Sequence, residues 1–120
     1  MDTISFPEFQ KIDIRIGTVI EASVPEWSHW VIKLTVDFGP DLGKKTVFAG
    51  MMKFYEPKEL ESKQFPFVIN IEPKKVGPEG DYSEAMMLAA DLIEDKEHPE
   101  EGKPILFKLL KKVPNGTKVR

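Results

Sequence analysis

A chain of 120 residues, 41% of them hydrophobic, is a common size for one domain and can bury a core without covalent staples, so one domain over residues 1–120 is expected. The absence of cysteine excludes disulfides, thiolate metal sites and cysteine nucleophiles, and fits a reducing cytoplasm. A formal net charge of −3 argues against a protein that holds phosphates by bulk electrostatics.

Met1 to Pro7 offer neither a basic start nor an apolar run, and no stretch of about 18 apolar residues follows, so a cytoplasmic protein without membrane contact is expected. Phe6 to Ile12 predicts one short helical turn, with Pro7 at a first helical position and Phe6, Phe9 and Ile12 on one face. From Ile12 the period changes to two: Ile12, Ile14 and Ile16 on one face, Asp13, Arg15 and Gly17 on the other, continuing to Ala22. This predicts a long half-buried strand with a bulge or bend at Gly17, and with Asp13 and Arg15 paired to neighbouring strands. Trp27 and Trp30 flank His29 in the next loop, where hydrophobic anchoring or a subunit contact is expected ahead of a stacking role.

Val31 to Phe38 alternates and is rich in β-branched residues, predicting strand two. The turn residues Gly39 to Gly43 lead into a third strand over Lys44 to Gly50, and Pro57-Lys58-Glu59-Leu60 predicts a helix start. Phe65 to Ile71 predicts strand four, with Pro66 at a sheet edge or a strand start. Lys74 to Asp81 reads as a loop, Ser83 to Ala90 as strand five, and Ile105 to Leu110 as a further apolar element before a Pro114-Asn115-Gly116 turn.

Five strands with a short helix between the third and fourth form the OB layout, so an all-β, five-stranded OB-fold barrel is expected. The extra N- and C-terminal elements would lie outside it and bury their apolar surface by dimerisation, with a second copy of the chain.

Charge is unevenly spread. Residues 91–101 hold six acids and one lysine, leaving 16 basic against 14 acidic residues elsewhere, and residues 102–120 carry five lysines and one arginine with no acid. That tail could form a basic face, although charge alone fits a solvated, lysine-fringed strand better. His29 and His98 lie far apart without ligand spacing, so no catalytic residue, metal site or cofactor is expected.

A series of short words stands in order along the chain. They are Asp13-Ile14-Arg15-Ile16-Gly17 with Val19-Ile20-Glu21-Ala22, then Lys33-Leu34-Thr35-Val36-Asp37-Phe38-Gly39, then Ala49-Gly50 with Tyr55-Glu56-Pro57-Lys58-Glu59-Leu60. Asn70-Ile71-Glu72-Pro73-Lys74 and Ser83-Glu84-Ala85-Met86 with Leu88-Ala89-Ala90 complete the series. Together they resemble the tRNA-binding domain family, which includes free-standing dimeric tRNA-binding proteins, the C-terminal domain of many bacterial methionyl-tRNA synthetases and the CsaA-type export chaperones. The likeness covers about residues 9–90 and leaves 91–120 as a C-terminal extension. Two departures stand out: Trp27-Ser28-His29-Trp30 occupies the region where the family often has Ala-Asp-Lys-Leu, and Ala85 replaces a usual glycine. The longer turn over residues 37–43 is similar to the CsaA branch, and residues 83–90 to the tRNA-binding branch.

RNA recognition needs cations for phosphates, together with polar and apolar groups for unstacked bases and sugar hydroxyls. Lys74 and Lys75 fit the first need, and Lys33, Lys44 and Lys45 would extend the phosphate track. Asn70, Ser83 and Glu84 offer donors and acceptors, and the resemblance implies that the Asn70 and Ser83 words lie in the binding region; each could instead serve only a strand end or a turn. Met86 could form an apolar floor for a base, with burial in the core the commoner use of a strand methionine. The expected function is non-catalytic binding of structured RNA, tRNA above all, with an aminoacyl-tRNA synthetase as a possible partner. The alternative is a CsaA-like chaperone that holds unfolded precursor proteins on an apolar groove around Phe48, Met51, Met52, Phe54 and Tyr55.

Overall fold

Ser5 begins the first element: its hydroxyl accepts from the Glu8 N–H and caps α1 (Phe6–Phe9), the expected helical turn with Pro7 inside its start. The computed structural model describes residues 1–120. β1 (Ile14–Ser23), β2 (Ile32–Asp37) and β3 (Lys44–Ala49) follow as an antiparallel meander. Next comes α2 (Pro57–Leu60), where Glu56 and Glu59 form a reciprocal capping box, and then β4 (Gln64–Val68).

The remaining chain forms β5 (Lys74–Val76), β6 (Asp81–Ser83), β7 (Met86–Met87), β8 (Ala89–Leu92) and β9 (Lys103–Leu106), with a 3-10 turn at Pro99–Glu101. The main sheet runs in the order β3-β2-β1-β4-β7 and curls into the expected OB-like barrel. Its seam is closed largely by side chains. The Ser83 Oγ accepts from Phe48 N–H and Glu84 Oε1 accepts from Thr46 N–H, while the Glu84 N–H donates to Thr46 O.

Alternation decides the core. Ile32, Leu34 and Val36 of β2, Val47 and Ala49 of β3, and Phe65 and Phe67 of β4 point inward, joined by Val19 and Phe38. Phe38 and Phe67 meet edge-to-face with ring centres 5.3 Å apart.

β1 differs from expectation in two respects. Pairing with β4 is unbroken from Ile14 to Thr18, so Gly17 is no bulge; the register shift lies between Val19 and Glu21. Gly17 is instead a close-approach position, where a Cβ would meet Val36 and Phe38. The inward face is therefore the one bearing Gly17 and Val19. Ile16 points outward into a pocket shared with Val113 and Val119 of the C-terminal segment.

That segment is not all left outside. β2 pairs with β1 only from Thr18 onward, and the C-terminus takes up the vacant edge. Gly116 N–H donates to Ile16 O, Ile16 N–H to Thr117 O and Val119 N–H to Ile14 O. Asn115 Oδ1 accepts from Thr18 Oγ1 and Gln64 Nε2, which locks the turn in place.

Three further expectations are corrected. Residues 74–83 form a β-hairpin rather than a loop, because Gly77 and Gly80 at positive φ turn β5 back onto β6. The fifth strand over Ser83 to Ala90 is broken into pieces: Ser83 Oγ donates to Ala85 O, in competition with the ladder, and Ala85 turns into the core. Pro66 is in an internal strand, tolerated because its missing N–H falls where β7 ends and its carbonyl accepts from Leu88 N–H. The Ile105-to-Leu110 element is strand only as far as Leu106, where β9 pairs with β8.

Candidate nucleic-acid interface

The β5–β6 hairpin leans against the barrel wall through Trp27. The Trp27 ring packs so closely on Gly77, at φ +75°, that a Cβ there would lie 2.5 Å from the indole. Its ring centre is 6.0 Å from Phe48 and 6.3 Å from Trp30. Between hairpin and wall runs an open groove of about 400 Å³ floored by Phe48, Ile71 and Met86, with Trp30 at its side and Glu72, Lys74 and Lys75 on its rim. Neither lysine makes an ion pair, since the structure's two pairs are Asp13–Arg15 and His98–Glu100.

Four of the nine residues expected from the sequence line this groove: Lys74, Lys75, Ser83 and Met86. Met86 is exposed rather than core. Glu84 lies beyond the lining, with its carboxylate engaged at the seam. Asn70 accepts from Asp13 N–H and donates to Lys11 O, tying the segment after β4 to the start of β1. Lys33 sits directly across from Phe48 on the outer face of the wall.

Lys44 and Lys45 part company. Lys45 lies across from the core residue Val36 and so shares the inner face at the barrel's end, whereas Lys44 lies across from Asp37 on the outer face and lines a polar cleft with Pro114 and Asn115. The two therefore do not form one continuous track with Lys33.

Asp13 and Arg15 pair with each other at 2.7 Å, not with neighbouring strands, and Arg15 also donates to Gly116 O. The hydrogen bond to Asp13 raises the Arg15 pKa above its ordinary value, with partial burial opposing and the Asp13 charge assisting.

Trp30, Phe48 and Ile71 are groove residues that sequence reasoning did not place in the RNA site. The signal for Phe48 was its position one residue out of phase with Val47 and Ala49. For Trp30 it was the departure from the family word.

Residues 14–118 match the family model described as "Putative tRNA binding domain". The chain belongs to this family. Methionine-tRNA ligase of Methanothrix thermoacetophila is 38% identical over 117 residues, covering 98% of this chain and 16% of the ligase. The chain thus spans a small part of that relative's length. Among solved structures, the MetRS-related protein from Pyrococcus horikoshii superposes with a TM-score of 0.85 at 33% identity, covering 100% of both chains. The chaperone CsaA from Bacillus anthracis str. Ames gives 0.80 at 32% identity, covering 99% of this chain and 100% of that one. In this tRNA-binding domain no helix is long and apolar enough to cross a membrane.

Proposed function

We propose that the chain binds structured RNA, tRNA above all, through the groove beside the β5–β6 hairpin, and catalyses no reaction. The observation that carries this is the pair of uncommitted lysines, Lys74 and Lys75, on the rim of an exposed aromatic groove in a chain of the tRNA-binding family. Lysines supply the phosphate attraction that the overall acidic charge does not, and Met86 offers an apolar floor, while the Ser83 hydroxyl is held between Phe48 N–H and Ala85 O at the groove wall. Lys33 and Lys44 on the outer face extend the cationic surface. Anisotropy titration of the protein with bulk tRNA across a salt series, with an unstructured RNA of equal length as control, tests it. The expected result is preference for tRNA with log affinity falling steeply against log salt; equal or absent binding refutes it.

The working form is a cytoplasmic homodimer that supports a synthetase. Phe6, Phe9, Phe107 and Leu110 are exposed apolar side chains on the two terminal segments, with Leu110 uncovered altogether, and a second copy is their economical cover. Sedimentation equilibrium should give twice the chain mass, and the mass of a single chain refutes it.

A second reading is supported by the CsaA likeness and by another groove, lined by Tyr55, Leu60, Phe65, Leu106, Phe107 and Leu109. There the chain would hold unfolded polypeptide. Of the residues that first suggested it, Met51 is core, Met52 and Tyr55 pack on the core, Phe48 lies in the groove beside the β5–β6 hairpin, and Phe54 is 38% exposed. This reading takes first place if tRNA binding is absent.

A further inference from the structure

Trp30 is 52% exposed, yet its backbone is held from several sides. Trp30 N–H donates to Ser28 Oγ, Trp30 O accepts from Met52 N–H, and Ser28, itself buried, also joins Val31 through its hydroxyl. Trp27 wedges between Phe48 and Gly77, with its ring plane at 66° to that of Trp30. The backbone that carries this exposed indole is thus fixed before any ligand arrives and the ring rests against Trp27, which lowers the entropic cost of binding on its face. The surface it borders combines apolar Phe48, Ile71 and Met86 with two rim lysines against one glutamate, Glu72.

We propose that Trp30 is a stacking platform for one unpaired nucleobase, whose flanking phosphates lie on Lys74 and Lys75. This rests on the RNA-binding function proposed above and narrows it: within a folded RNA the groove takes a base that the fold itself splays out, not the duplex surface. Planar apolar contact flanked by cations matches a nucleotide, whose base is flat and whose backbone is anionic. A base-paired stem hides its bases in the stack and can offer only the phosphates.

The test compares the wild-type chain, whose two tryptophans are Trp27 and Trp30, with Trp30→Phe, so that the difference in their fluorescence quenching reports Trp30 with Trp27 left in its seat. Bulk tRNA should quench Trp30 fluorescence, and a blunt RNA duplex should not. Trp30→Leu in the wild-type background should weaken tRNA binding roughly tenfold with the salt slope unchanged, while Trp30→Phe, which keeps a π-face, should stay near wild type. The inference is overturned if Trp30→Leu binds tRNA as tightly as wild type, or if duplex and tRNA quench alike. It is also overturned if an unfolded polypeptide quenches Trp30 and tRNA does not. In each case wild-type tRNA affinity reports separately on the parent proposal, and its absence overturns both. Should Trp30→Leu fail to fold, the quenching comparison still decides.

Discussion

Gly17→Val is expected to destabilise the barrel by about 3 kcal/mol, the upper end of what overpacking a tight core usually costs. A Cβ at this position would sit 2.5 Å from Val36 Cγ1 and 2.7 Å from Phe38 Cε1. Neither neighbour can yield cheaply. Both are core residues, at 0% and 1% exposure, and Phe38 is braced against Phe67. The backbone cannot retreat either, because Gly17 pairs with Phe65 within an unbroken ladder. Urea unfolding should show a lowered midpoint with the slope m unchanged, and Gly17→Ala should move it in the same direction by less. An unchanged midpoint would mean that β1 gives way at residue 17, the behaviour of a bulge.

Joint replacement of Lys74 and Lys75 by alanine is the second large effect. It should weaken tRNA binding roughly tenfold or more at low salt and flatten the log–log salt dependence by about one per lysine. The charge loss acts on phosphate contact, so all tRNAs should weaken alike. Both lysines are exposed on the hairpin, so stability should change by no more than about 0.5 kcal/mol. Joint replacement of Lys53 and Lys58 by alanine removes the same two charges from outside the groove lining and should leave the salt slope nearly unchanged. Equal losses from both changes would point to a diffuse charge effect in place of a built site. Together with the Trp30 variants, these measurements separate phosphate attraction, read in the salt slope, from base stacking, read at constant slope.

Local signals carried much of the fold. Ile32, Leu34 and Val36 alternate with Lys33 and Thr35, and residues 39–43 can hardly do other than turn, so the β2–β3 hairpin was legible. Pro57 with Glu56 and Glu59 made α2 equally plain. Lys74 and Lys75 could be singled out from their charge and their place after Pro73, and Met86 from its word in the series. The fifth strand was not legible, because its pairing depends on Ser83 and Glu84 reaching β3, some 35 residues away along the chain.

The sequence by itself determined the alternation, the turns, the absence of thiol chemistry and the family, since each is written in residue type and spacing. Tertiary structure alone decided which face of β1 turns inward. A period of two says that the faces differ, and Ile12, Ile14 and Ile16 made the wrong one look like the core. Both faces of this wall are covered, one by the barrel interior and the other by the C-terminal segment, so an apolar stripe could belong to either. The same holds for the site. Trp30 becomes a groove wall only because Trp27 seats on Gly77 and brings the hairpin beside it, a contact across 50 residues that no local pattern encodes.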